Sequence, residues 1–203
     1  MAKTDARAAM IDAAEAIVAE RGLGAMSLRE VQAASGQLNK NAAQYHFGNR
    51  DGLIASVVEA RMGPINERRW RMIEALDPAG ASPRQWLEAL VLPLAHAVRD
   101  NPDSRYARFL AQAFLDPQLG SMISGHIRAG SYRAAQDGLA ASSGLAQQQA
   151  ARRAFFMLSM VVVSLAGWEA RRDAFGSADE FIADLVGTAL AAFAAPVMEG
   201  KKS

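Results

Sequence analysis

Lys40, Asn41, Gln44 and Tyr45 are the residues whose types and spacing best suit a chemical task. At i, i+1, i+4 and i+5 they share one face of a helix with a 3.6-residue period. Two amides, an amine and a phenol on one exposed face match the edges of base pairs: Asn and Gln pair bidentately with adenine, Lys with guanine. A lone polar face is also common on surface helices, so the reading depends on what holds this one. Catalytic constellations are poor by comparison. The chain has three histidines. His96 and Asp100 stand at i, i+4 with no third partner, and no glycine-rich phosphate loop, nucleophile elbow or metal-ligand spacing occurs. Gly22-Leu23-Gly24 lacks the third glycine of a dinucleotide site. No catalytic residue, cofactor or metal is expected.

The elements that must position this face lie just before it. Ser27 and Glu30 have the spacing of a capping box, with Met26 and Val31 as its hydrophobic staple. Leu28, Val31 and Ala34 give the helix they open a narrow buried stripe. Gly36 ends that helix, Leu38 is expected to plug the turn, and Asn39 is a good cap for the next. Helix, glycine turn, helix is the layout of a helix-turn-helix. Upstream, Met10, Ala13, Ala14, Ile17 and Val18 mark the buried face of a first helix, about residues 6–21, that ends at Gly22.

The segment Leu38-Asn39-Lys40-Asn41-Ala42-Ala43-Gln44-Tyr45-His46-Phe47, then Asn49-Arg50 and Leu53, resembles the recognition segment of TetR-type transcriptional regulators. The resemblance covers roughly residues 7–58, about a quarter of the chain. Gln44 stands where an aromatic is common and Arg50 where Lys is common. The first difference bears on which operator is read; the second keeps a cation for a phosphate. The resemblance implies a DNA-binding repressor, released by a small molecule held in the C-terminal part.

Composition is that of an ordinary globular chain. With 203 residues, 51% hydrophobic and 21% charged, it can bury a sizeable core. A net charge of +1 is no beacon for a polyanion. Lys3, Arg7, Arg21, Arg29, Lys40 and Arg50 are nearly matched by Asp5, Asp12, Glu15, Glu20 and Glu30, so DNA binding rests on where cations sit. Without cysteine, disulfides and thiolate metal sites are excluded. No charged-then-apolar leader and no uninterrupted apolar run of about 18 residues is present, and a cytoplasmic, non-membrane protein is expected.

The remaining chain has only helical periodicity. A fourth helix, about residues 49–76, opens with Asn49 as cap and Asp51 in its first turn, and Gly63-Pro64 predicts a kink within it. Ser82-Pro83 caps a fifth helix that Pro93 bends. Ser104 is expected to cap a short sixth. A longer one with Leu119, Met122 and Ile123 should run towards Leu139. Residues 154–168 carry two apolar stripes, and the last helix, about 178–195, adds Phe181, Ile182, Leu185, Val186, Leu190 and Phe193, with Gly187 and Ala191 permitting close contact. Two stripes call for two partners, so a two-fold four-helix dimer interface is expected from these helices. Phe156, Val163, Gly167, Leu185, Ala189 and Phe193 are its candidate residues.

The expected fold is all-α. Residues 1–50 form a three-helix head with the helix-turn-helix, and residues 51–203 form an effector-binding and dimerisation body of about five to six helices. Two heads would read a palindromic operator. Lys40, Asn41, Gln44 and Tyr45 are the expected base readers, and Ser27, Asn39, His46, Arg50 and Lys3 the expected phosphate contacts. Trp86, Tyr106, Phe109, Phe114, Met122, His126, Met157 and Met160 are candidates for the pocket of a small apolar or amphipathic effector. The alternative is a non-catalytic helical small-molecule-binding or scaffold protein, which leaves the Lys40–Tyr45 face idle. Nothing in the sequence specifies the operator, the regulated genes, the effector, or whether ligand releases or promotes binding.

Overall fold

The structure is a computed structural model that describes residues 3–39, 41–78, 80–116 and 130–197; for residues 3–5 only the backbone is described. Within those residues the chain is all-α. The N-terminal helices are α1 (Lys3–Arg21), α2 (Leu28–Ala34) and α3 (Ala42–Phe47), with a 3₁₀ turn at Leu23–Ala25 between the first two. Then follow α4 (Arg50–Glu74), α5 (Pro83–Arg99), α6 (Tyr106–Leu115), α7 (Ser131–Ser142), α8 (Gln147–Ala170) and α9 (Ala178–Ala194). The expected residues Leu119, Met122 and Ile123 lie outside the described ones.

Local chemistry sets most of these boundaries. Ser27 Oγ accepts the Glu30 amide at 3.1 Å. Glu30 does not reach back as a full capping box requires; its carboxylate takes Arg21 Nη2 at 3.2 Å instead. Asn49 caps α4 by accepting the Gly52 amide at 2.8 Å. Ser82 and Gln85 form a complete capping box with Pro83 in the first turn, and Ser177 with Glu180 does the same for α9. The start of α6 is more unusual: Ser104 Oγ accepts from Tyr106 N at 3.1 Å, and the buried Glu169 of α8 accepts the Ala107 and Arg108 amides at 3.1 and 3.0 Å. Helix α4 runs unbroken through Gly63-Pro64.

One continuous apolar core joins all of these helices. Helix α1 buries Met10, Ala14, Ile17 and Val18 against α2, α4 and α6, so it belongs as much to the body as to the helix-turn-helix. A small core braced by α4 is thereby enlarged rather than left to stand alone. Helix α7 lies on α5 so closely that Gly138 faces the Trp86 indole, where a Cβ would stand 2.5 Å from ring atoms.

Two parts of the expected packing are corrected. Leu38 does not plug the turn but is 99% exposed, and Ala34 faces solvent, leaving Val31 as the fully buried residue of α2. Leu185, Ala189 and Phe193, expected at a subunit interface, point inward and are buried against α5 and α8, with Phe193 2% exposed. Arg153 Nη1 holds the Phe193 carbonyl at 2.6 Å from the α8 side. That stripe of α9 is already filled within one subunit.

Candidate functional site

Helix α3 stands on the surface with Asn41, Gln44 and Tyr45 exposed and Ala42, Ala43 and Phe47 buried beneath. The helix begins later than its sequence predicts. Asn39 Oδ1 accepts the Asn41 amide at 3.0 Å, an Asx-type turn that competes with helix and moves the first helical residue to Ala42. Asn41 is therefore the N-cap residue, at i−3 and i−4 from Gln44 and Tyr45, and the three still share a face. The cap that Asn39 was expected to supply comes from α2: Gln32 Oε1 accepts the Ala43 amide at 3.3 Å. Lys40 lies outside the described residues.

A surface groove between α2 and α3 is lined by Arg29, Gln32, Gln37, Leu38, Asn41 and Gln44. Its exposed amides, one guanidinium and one leucine can offer donors, acceptors and an apolar contact, the three kinds of partner that a major groove presents. Tyr45 is 70% exposed and packs edge-on against His46 at 5.2 Å between ring centroids. His46 is half-buried and leans on Phe47, which also sits under the Arg7 guanidinium at 5.8 Å. Ser27 and Asn39 are exposed, Ser27 while capping α2 and Asn39 while accepting the Asn41 amide. The Lys3 side chain lies outside the described structure.

Arg50 has a different task from the one expected. Its Nε donates to the Met26 carbonyl at 3.1 Å and its Nη2 to the Leu23 carbonyl at 2.8 Å. These bonds tie the start of α4 to the α1–α2 connection, so the guanidinium is a strut rather than a free cation awaiting a phosphate. Gly52, one turn into α4, lies against the end of α3: a Cβ there would be 2.1 Å from the Phe47 carbonyl oxygen. The close approach at Gly52 sets the end of α3 against the first turn of α4 through backbone atoms.

A second feature opens in the body, where α4, α5, α6, α7 and α8 meet. A small apolar cleft of about 20 Å³, room for about one water molecule, is lined by Met62, Leu90, Leu94, Leu110, Met157 and Val161, with Arg69 and Tyr132 also at its wall. Of the expected pocket residues, Met157 lines it. Trp86, Tyr106 and Phe109 are buried in the surrounding core, Phe114 and Met160 are half-buried elsewhere, and Met122 and His126 lie outside the described residues.

The outer face of α8 and α9 is apolar and uncovered by the subunit. Phe155, Phe156 and Val163 are half or more exposed on α8, where Gly167 also lies near the surface. Ala183, Gly187 and Ala191 line the exposed side of α9. Taken as a helix rather than as an uninterrupted run, α8 is long and apolar enough to cross a membrane, and 33% of its most apolar window is buried inside the subunit.

No His–Asp pair forms on α5. The Asp100 carboxylate takes Arg99 Nε at 2.8 Å and Arg68 Nη1 at 3.5 Å, and His96 Nδ1 is buried without a partner among the described residues. Burial, with Arg68 and Arg99 adding to it against Asp100 and Asp179, holds His96 below the ordinary histidine value. The unfolded chain therefore binds the extra proton first, and His96 weakens the fold as pH falls below its unfolded value of about 6.5. Urea titrations at pH 7.5 and 5.5 should show wild type losing more stability than His96→Gln over that interval; equal losses would contradict this.

The fold is similar to that of the crystal structure of the probable transcriptional regulatory protein RHA5900. The alignment has a TM-score of 0.57 and 18% identity over 94% of this chain and 100% of that one. The crystal structure of a transcriptional regulator of the TetR/AcrR family from Thermobifida fusca YX-ER1 aligns with a TM-score of 0.48 and 20% identity, over 91% of this chain and 96% of that one. No protein-family model and no curated protein sequence matches the chain.

Proposed function

We propose that this protein is a non-enzymatic, cytoplasmic transcriptional regulator of the TetR type that binds a palindromic operator as a homodimer. The observation that carries the reading is α3. It is a short helix with Asn41, Gln44 and Tyr45 outward, fixed to α2 by the Gln32–Ala43 bond and to α4 by the Gly52 contact. The fold it shares with a transcriptional regulatory protein supports the same reading. Residues 1–50 then form the head and residues 51–203 the body, with α4 joining them. Asn41, Gln44, Tyr45 and Lys40 read base edges, while Ser27, Asn39, His46 and Lys3 set register on phosphates. Repression relieved by an effector held in the C-terminal body is the mode we propose.

Selection of bound oligonucleotides from a random pool tests this directly. The bound sequences should be two-fold symmetric. Asn41→Ala or Gln44→Ala should then weaken operator binding by about 1–3 kcal/mol and relax preference at one position per half-site. Unchanged preference in both variants would remove α3 as the reading element.

For the dimer, the exposed α8 face with Phe156 and Val163, beside the small-residue face of α9, is the surface that supports the reading. Two copies of this helix pair make a four-helix interface that covers aromatic surface otherwise left in water. Phe156→Glu should yield a monomer by light scattering and lower operator affinity at least tenfold, because one head alone holds half of the contacts. A monomeric wild type, or a variant that still dimerises, would refute this interface.

A further inference from the structure

Leu38 is 99% exposed, the most exposed large apolar side chain among the described residues. An isolated surface leucine is ordinary by itself. This one is held outward by the chain on both sides. Before it, Gly36 takes a φ of 69° at the end of α2, and the Gln37 amide donates to the Gln32 carbonyl at 3.3 Å. After it, Asn39 Oδ1 accepts the Asn41 amide at 3.0 Å. Both neighbours are engaged in the turn, so Leu38 projects from a built position rather than from a loose tip.

Its surroundings point to what it meets. Leu38 shares the α2–α3 groove with Arg29, Gln32, Gln37, Asn41 and Gln44. The Asn41 and Gln44 side-chain amides are exposed and make no hydrogen bond among the described residues. Arg29 stands exposed in the first turn of α2, where a cation opposes the helix dipole. Glu30, the acid of that turn, takes Arg21, and no carboxylate pairs with Arg29 among the described residues. A cation placed against the dipole and left unpaired suits an anion from outside the chain. An apolar side chain flanked by unbonded amides and that cation complements a mixed surface, with phosphates beside polar base edges. The one apolar group such a surface offers in the major groove is the C5-methyl of thymine. Leucine neither donates nor accepts hydrogen bonds, so on duplex DNA it distinguishes bases through that methyl.

We infer that each operator half-site holds a thymine whose C5-methyl packs against Leu38, which makes Leu38 a specificity-determining residue beside Asn41 and Gln44. The inference rests on the regulator reading above and adds to it one residue and one chemical group of the DNA. An amide reads the polar edge of a base, whereas Leu38 reads a group with no hydrogen-bonding capacity. The two kinds of contact are therefore separable by chemistry on the DNA alone.

Deoxyuridine in place of thymidine is the test, because it removes the methyl and keeps every hydrogen bond of the base pair. The operator is obtained by selection from a random pool, and its thymines are then replaced one symmetric position at a time. At one such position the full-length wild type should lose about fourfold in affinity per half-site, the worth of one buried methyl group. Leu38→Ala should bind the thymine operator weaker by the same factor and the deoxyuridine operator as wild type does. It should also unfold at the wild-type urea concentration, since the side chain is exposed. That non-additivity between protein and DNA changes assigns the methyl to this side chain. An operator without thymine, a wild type indifferent to deoxyuridine at every position, or a Leu38→Ala variant that still loses as much as wild type would overturn the inference. The two readings fail separately. A two-fold operator bound without regard to the methyl discards Leu38 and retains the regulator, whereas a protein that selects no sequence discards both.

Discussion

Gly52→Ala should reduce operator affinity at least tenfold and loosen α3 while leaving the body folded. Alanine is the better helix former by about 1 kcal/mol, so propensity alone predicts a more stable α4. Geometry reverses the sign. The added Cβ would lie 2.1 Å from the Phe47 carbonyl oxygen and 3.3 Å from its carbonyl carbon, both backbone atoms that no rotamer change can remove. Either α4 loses its first turn, with the Asn49 cap, or the end of α3 moves away. Overpacking of this kind costs about 1–3 kcal/mol, and the upper end applies where backbone meets backbone. A shift of α3 moves Gln44 and Tyr45 relative to α4, and with it their register on base edges. Hydrogen exchange should show α2 and α3 amides losing protection while α8 and α9 keep theirs. Wild-type operator affinity in Gly52→Ala would mean that the α3–α4 joint does not position the reading face.

The helices themselves were legible in the sequence because their signals are local. The caps at Ser27, Asn49 and Ser82, the stop at Gly22 and the stripe of α1 each act within one turn of chain. What the sequence left open was which of two possible faces turns inward. Helix α9 has apolar residues on several sides, and a one-dimensional pattern does not tell the stripe with Leu185, Ala189 and Phe193, which its own subunit covers, from the side with Gly187 and Ala191. Leu38 looked like core because it is apolar beside a turn, yet the Asx turn at Asn39 leaves it exposed. Arg69, buried on α4 between Arg68 and Arg71, was not singled out because its residue type favours the surface. Its position carried a signal all the same: it stands four residues after Ile65 and seven after Met62, in line with the buried side of α4. Arg50 and Gln32 act on distant backbone groups, and nothing in their spacing announces such partners.

Glu15 illustrates the same gap and should show the second large effect. Sequence places it as one of several acids on α1, but it is buried, and each carboxylate oxygen binds a different element. Oε2 takes Arg61 Nε of α4 at 2.7 Å, and Oε1 takes the Arg105 amide at the start of α6 at 2.8 Å. A single side chain thus joins the first helix of the head to the linking helix and to a wall helix of the cleft. Glu15→Gln keeps one oxygen for the Arg105 amide and turns an amide NH₂ towards the Arg61 guanidinium. Removing one member of a buried ion pair costs about 3–5 kcal/mol; Arg61 is partly exposed and retains Asp12, so a loss of about 2–3 kcal/mol is expected in urea titrations. Because α1 packs on both α4 and α6, the gain in hydrogen exchange should be largest in α1 and smaller in α8 and α9. A variant that unfolds with wild type, or loosens uniformly, would show that the apolar contacts of α1 suffice and that Glu15 does not link head to body.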